Sequence, residues 1–210
     1  MAEKSSSSKR WLARQHKDPY VAAAKRDGWR SRAAYKLLEL DERFHLLRPG
    51  QSVLDLGAAP GGWSEVAAKA LKLDENGTSR VVAVDILPME SIGRVTILTH
   101  DFMSEDAPAT IIAACGGKVD LVLSDMAPST IGHAQTDHWR QMALAEAAAD
   151  LIPHILKKGG SFVCKTFQGG DSAAFFAKLK SQFTTIRRVK PEASRKDSVE
   201  MFILAQGFKG

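Results

Sequence analysis

The stretch from Val53 to Trp63, Val-Leu-Asp-Leu-Gly-Ala-Ala-Pro-Gly-Gly-Trp, constrains this chain more than any other. A short apolar run stops at Gly57. Gly61-Gly62 follow four residues later, and a helix-compatible segment runs from Trp63 to Leu71. The pattern reads as buried strand, tight glycine turn and helix. Glycines in such a turn let the backbone approach a ligand closely. The unpaired N–H groups at the helix start favour an acceptor or a negative group. A turn that holds no ligand is the bland alternative. The dinucleotide fingerprint, Gly-x-Gly-x-x-Gly, does not match the spacing Gly57-x-x-x-Gly61-Gly62. A nicotinamide-dependent oxidoreductase is therefore disfavoured.

The rest of the chain supplies the elements for a sheet around that turn. Strands are expected at 52–57, Arg80–Asp85, Val95–Thr99, Val119–Ser124, Ser161–Phe167, Thr184–Lys190 and Ser198–Ala205. Helices are expected from a Ser31 N-cap to before Pro49-Gly50, and over 62–72, 108–114 and 138–157. A further helix is capped by Asp171 and runs to about Ser181. The long helix is expected to stop at Gly159-Gly160. Alternation of strand and helix implies a mostly parallel α/β sheet with helices on both faces. The last two strands have no helix between them and read as an antiparallel pair at one edge. The domain is expected to cover 19–210, preceded by a flexible basic tail over 1–18.

A chain of 210 residues suits one domain, and its 44% apolar and 25% charged residues are ordinary values for a globular protein. No apolar run is long enough for a membrane span, and the N-terminus lacks a signal-like apolar core. Cys115 and Cys164 are far apart and without metal-ligand spacing. They read as buried free thiols in a reducing, cytoplasmic compartment, and no metal is expected. A monomer is expected, since no exposed coiled-coil pattern occurs.

The net charge of +5 is unevenly spread. Residues 1–36 hold ten Lys and Arg against three acids, a net +7, which leaves −2 for the remainder. Trp11, Tyr20, Trp29 and Tyr35 are interleaved with these cations. Cations mixed with aromatics suit a polyanion whose bases can stack, so RNA is favoured over a membrane surface or a simple solubilising tail.

Ligands of open α/β sheets bind at the carboxyl ends of the strands. Asp85, Asp101 and Asp125 stand at three of those ends. An Asp there is often only a turn residue, but three in corresponding positions suggest a site. Asp85 suits ribose hydroxyls and Asp101 an adenine amino group. Lys165 interrupts the apolar run Phe162–Phe167, and Glu200 sits before Met201-Phe-Ile-Leu. Mid-strand lysine is disfavoured and a buried one needs a partner, so the two mark a site or a structural ion pair.

These motifs together resemble the FtsJ/RrmJ-type ribose 2′-O-methyltransferases, over about Trp29 to Leu204. That family carries a Lys-Asp-Lys-Glu tetrad. The matching positions are Lys36 in Ser31-Arg-Ala-Ala-Tyr-Lys, Asp125 in Ser124-Asp-Met-Ala-Pro, Lys165 in Cys164-Lys-Thr-Phe and Glu200 in Ser198-Val-Glu-Met. The resemblance implies a Rossmann-like methyltransferase fold and S-adenosyl-L-methionine (SAM) as cofactor. It implies SAM contacts from Gly61, Trp63, Asp85, Asp101 and Asp125, with Lys165 as catalytic base. The implied substrate is large-subunit (23S) ribosomal RNA or the 50S particle, at a uridine in the A-loop of the peptidyl-transferase centre. A tRNA or mRNA-cap 2′-O-methyltransferase, and a non-catalytic RNA-binding assembly factor on the same scaffold, remain as alternatives.

Overall fold

The computed structural model describes residues 18–73, 75, 77–129, 131–169 and 172–210. The expected tail, apart from Asp18, and the Asp171 cap lie outside the described residues.

The helices are α1 (Pro19–Asp27), α2 (Ala34–Phe44), α3 (Gly62–Ala70), α4 (Ala107–Cys115), α5 (Ala134–Ile155) and α6 (Ala173–Gln182). The strands are β1 (Ser52–Leu56), β2 (Arg80–Asp85), β3 (Thr96–Thr99), β4 (Val119–Ser124), β5 (Leu156–Phe167), β6 (Phe183–Val189) and β7 (Glu200–Phe208). They form one sheet in the order β3-β2-β1-β4-β5-β7-β6. β1 to β5 are mutually parallel, while β7 runs antiparallel to both β5 and β6. The antiparallel pair sits at the edge, with β7 inside and β6 outermost.

Side chains alternate across a strand, so each strand feeds two cores. Leu54, Leu56, Val122, Phe162 and Cys164 face α4, α5 and α6. Val53, Leu121, Leu123, Val163 and Phe202 face α2 and α3. Burial on both faces explains why these strands read as nearly unbroken apolar runs. Cys115 and Cys164 are free and buried, and burial pushes their thiols up to about 11 and about 12. Among the described residues no helix is long and apolar enough to cross a membrane.

Several boundaries differ from the sequence reading: β3, β6, β7 and α4 each shift by one to three residues, and four larger differences have a local cause. Ser31 does not cap α2, which starts at Ala34 after a turn closed by Ala34 N–H to Ser31 O. Its hydroxyl instead lies 2.2 Å from where a Cβ on Gly62 would be, so the glycine is what lets α3 pass this turn. α5 starts at Ala134, because His133 accepts a hydrogen bond from Thr136 N–H as its N-cap. α5 gives way to strand at Leu156, and Gly159-Gly160 lie inside β5, where the register against β4 shifts between Val119 and Leu121. Asp18, placed by sequence in the flexible tail, is 8% exposed and caps α1 through Tyr20 N–H.

Candidate active site

Strand register aligns the chemistry. Leu56 pairs with Val84 and with Ser124, and Ser124 pairs with Cys164. The next residues, Gly57, Asp85, Asp125 and Lys165, therefore share one row at the carboxyl edge of the sheet. β7 enters that edge from the opposite direction, with Glu200 opposite Phe167 and Phe202 opposite Lys165. Period-two alternation sets the direction. Lys165 follows Val163, Asp125 follows Leu123, and Glu200 precedes Phe202, and all three apolar partners belong to the α2/α3 face. α2 covers that face with its buried residues Ala34, Lys36, Leu37 and Leu40, of which Lys36, Leu37 and Leu40 are spaced for one side of a helix. Lys36 is the charged member of the stripe.

The four residues meet there. Lys36 Nζ lies 2.9 Å from the Glu200 carboxylate and 3.8 Å from Asp125 Oδ1. Lys165 Nζ lies 3.0 Å from Asp125 Oδ1 and donates to the Asp125 carbonyl at 2.6 Å. Lys36 Nζ is also 5.5 Å from the centre of the Phe202 ring. Lys36 and Lys165 are 5% and 6% exposed, so both are enclosed in an ion network. Burial raises the Asp125 carboxyl, but the charges of Lys165 and Lys36, joined by Arg32, outweigh it and hold it below the usual carboxylate range. Gln141 of α5 donates to the Lys165 and Met126 carbonyls and ties α5 to the ends of β4 and β5.

The glycine turn lies beside this cluster. Gly57 has φ of +75°, and a Cβ there would come within 2.8 Å of the Met126 backbone. Gly61 is the left-handed N-cap of α3. Asp85 accepts from Ala59 N–H at 2.9 Å and from Leu87 N–H at 2.8 Å. It is thus a turn residue that also fastens the glycine turn to β2, and each oxygen keeps a lone pair for a ligand. Asp101 is exposed and accepts from Met103 N–H. The Trp63 side chain is core: it is 2% exposed, donates from Nε1 to Ala33 O and packs on Phe202. Its backbone N–H lies in the first turn of α3, where a helix leaves its donors without intrahelical partners. Asp55, beneath the turn, is fully buried and accepts from the Ser64 hydroxyl at 2.6 Å. Burial pushes its carboxyl up to about 7, with Asp125 and Asp85 adding to the effect and Ser64 opposing it. An open groove of about 790 Å³ passes outside the turn between Arg30 and Glu65 and the 87–90 loop. Ala59 and Pro60 line it, but none of the five expected cofactor contacts does.

Sequence reasoning missed one network. Asp18 pairs with Arg32 at 2.9 Å and Arg195 at 3.0 Å, and Arg32 donates to Ala193 O. The Glu39 carboxylate accepts from Glu192 and Ala193 N–H. These contacts staple α1 and α2 to the 190–199 loop, and so join the elements that carry Lys36 and Glu200.

The profile of the FtsJ-like methyltransferase family matches residues 29–208. The chain is 53% identical to the ribosomal RNA large subunit methyltransferase E of Bradyrhizobium sp., over 97% of this chain and 88% of that one. It is 55% identical to the protein of that name from Rhodospirillum rubrum, over 97% and 78%. The structure is similar to one described as a ribosomal RNA methyltransferase from Plasmodium falciparum, with a TM-score of 0.76 at 25% identity, covering 87% of this chain and all of that one. The architecture is accordingly the Rossmann-like fold of such enzymes. The seven-stranded order, the glycine turn after β1, and the profile match across nearly the whole domain lead to one conclusion: this chain belongs to the FtsJ-like methyltransferases.

Proposed function

We propose that this protein transfers a methyl group from SAM to a ribose 2′-hydroxyl of large-subunit ribosomal RNA, at a uridine in the A-loop, as a cytoplasmic monomer. The observation that carries the reading is the convergence of Lys36, Asp125, Lys165 and Glu200, from four separate elements, at the mouth of the glycine turn. The names of the relatives support the RNA class.

The site's donor set suits the cofactor. SAM presents a carboxylate, ribose hydroxyls, an adenine amine and a sulfonium. The first turn of α3 offers the Trp63 N–H to the carboxylate, while Gly61, whose own N–H is bonded to the Ala58 carbonyl, lets the ligand approach the helix start closely. Asp85 accepts from the ribose hydroxyls and Asp101 from the amine. Asp125, already a carboxylate, faces the cationic centre. The bound cofactor supplies an electrophilic methyl carbon.

The chain's own residues align and deprotonate the hydroxyl. Lys165 has two Nζ positions committed to Asp125, to its carboxylate and its carbonyl. The remaining position receives the 2′-hydroxyl. In the role of base, Lys165 accepts the hydroxyl proton at that position. Lys36 and Glu200 hold the cluster in place, and alignment supplies most of the rate.

The test offers labelled SAM with unmodified large subunits, naked large-subunit RNA, tRNA and capped mRNA. Transfer to one ribose of the large-subunit RNA is expected. Transfer only to tRNA or the cap would overturn the target. SAM binding without transfer to any RNA would overturn catalysis.

A further inference from the structure

Among the described residues, the large apolar side chains left exposed are Ile86, Leu87, Met103, Ile131, Trp139 and Val199. All six stand on one edge of the molecule. Ile86 and Leu87 follow β2, Met103 follows β3, and Ile131 lies between β4 and α5. Trp139 is in the second turn of α5. Val199 precedes β7, whose start lies at the carboxyl edge because β7 runs antiparallel to β5. Scattered exposed apolar residues need no explanation, but their confinement to one rim marks a binding surface.

The strand order divides that rim. β3, β2 and β1 carry Asp101, Asp85 and the glycine turn, where the cofactor is placed. β4, β5 and β7 carry Asp125, Lys165 and Glu200, where the acceptor arrives. Ile131, Trp139 and Val199 belong to the second half. Each has an exposed cationic or protonatable side chain within three residues: His133, Arg140 and Lys196. Asp137, between Ile131 and Trp139, is buried and accepts from Ile131 and Gly132 N–H, so it fastens those two residues rather than facing a ligand. Arg140 donates to Ser129 O. Asp197 is an exposed acid near Val199.

We propose that Ile131, Trp139 and Val199 form a ledge on which bases flanking the methylated ribose stack, with Trp139 as its main platform. The proposal rests on the RNA reading above and extends it to the form of the substrate. A splayed, single-stranded segment is required, since bases paired within an A-form helix cannot present their faces. Val199 is next to Glu200, and Trp139 lies two residues from Gln141, which donates to the Lys165 carbonyl. Arg140 and Lys196 stand beside these apolar side chains, as in surfaces that track a backbone while stacking its bases.

The test compares the unaltered protein with Trp139→Ala and Trp139→Phe, using large-subunit RNA transcribed in vitro and SAM-loaded protein. RNA affinity is measured over a series of salt concentrations, beside single-turnover transfer and SAM affinity. Trp139→Ala is expected to weaken RNA binding roughly tenfold. Its dependence on salt should keep the same slope, because stacking releases no counterions. Trp139→Phe is expected to restore most of the affinity, and SAM affinity is expected to be the same in all three. Equal RNA affinity of the alanine variant and the unaltered protein would overturn the ledge while leaving the methyltransferase reading intact. So would a change in sedimentation without a change in RNA binding, which would make the rim a protein contact. Failure of the unaltered protein to bind and methylate both this RNA and unmodified large subunits would overturn both readings.

Discussion

Lys165 Nζ contacts Asp125 twice, 3.0 Å from its carboxylate and 2.6 Å from its carbonyl oxygen. β4 and β5 bring the two residues together in register. A lysine held on two sides has its third direction defined, which is what alignment with a reacting hydroxyl needs. Lys165→Ala is expected to lower single-turnover transfer by a factor of about 100 or more, with SAM affinity changed by less than threefold. Transfer kinetics beside calorimetric SAM titration check this. Loss of SAM binding would give Lys165 a role in the cofactor site.

Lys36 and Glu200 are 2.9 Å apart and largely enclosed. Removing one leaves the other buried without its partner. Lys36→Met is expected to cost about 2 kcal/mol of stability and to lower the melting temperature by roughly 4–8 °C. The double variant Lys36→Met with Glu200→Leu should recover much of that loss, since an apolar pair carries no uncompensated charge. It should not recover transfer. Denaturant unfolding of the four proteins in the cycle measures the coupling.

Asp18 is the shared partner of Arg32 and Arg195. Asp18→Ala is expected to cost about 2 kcal/mol and to speed amide exchange in the 190–199 loop. Because that loop leads into Glu200, transfer should fall more than SAM affinity. Exchange mass spectrometry beside the transfer assay tests this, and an unchanged loop would remove the staple from the account.

Asp55 has its carboxyl pushed up to about 7 by burial. An unfolded aspartate titrates near 3.9. Between those values the folded state holds the proton and the unfolded state does not, so stability falls as pH rises. The slope is about 1.4 kcal/mol per pH unit, and it levels off above the folded value. Asp55→Asn carries no such dependence. Relative to the native protein, this variant is expected to gain stability from pH 4 to 7, as read by denaturant unfolding at both ends of the range. A constant difference across that range would show that Asp55 remains ionised.

Where local signals decided the outcome, the sequence was legible. β2 and β4 lie at the boundaries read from Arg80–Asp85 and Val119–Ser124, because doubly buried strands are apolar runs that stop at a charge. Lys165 and Glu200 stood out because each breaks such a run. Lys36 is less conspicuous, since a lysine in a short helix is ordinary until the helix is seen to present that stripe to the sheet. Gly159-Gly160 was misleading: glycines usually end an element, but here they lie within a strand whose register slips. Trp63 also combined two signals, a motif position and an aromatic at a helix start. Its side chain is a core group whose truncation would cost about 3–5 kcal/mol. The Asp18 staple was illegible, because an ion pair between residues 177 apart in the chain leaves no periodic trace.

The central claim is that the acceptor is a ribose 2′-hydroxyl presented to Lys165. The most direct test labels large-subunit RNA with methyl-tritiated SAM and this protein, then digests it with alkali. Methylation of a 2′-oxygen removes the nucleophile that cleaves the adjacent phosphodiester. All of the label is expected in a single alkali-resistant dinucleotide, and Lys165→Ala is expected to yield none. Label in mononucleotides would mean transfer to a base and would contradict the account.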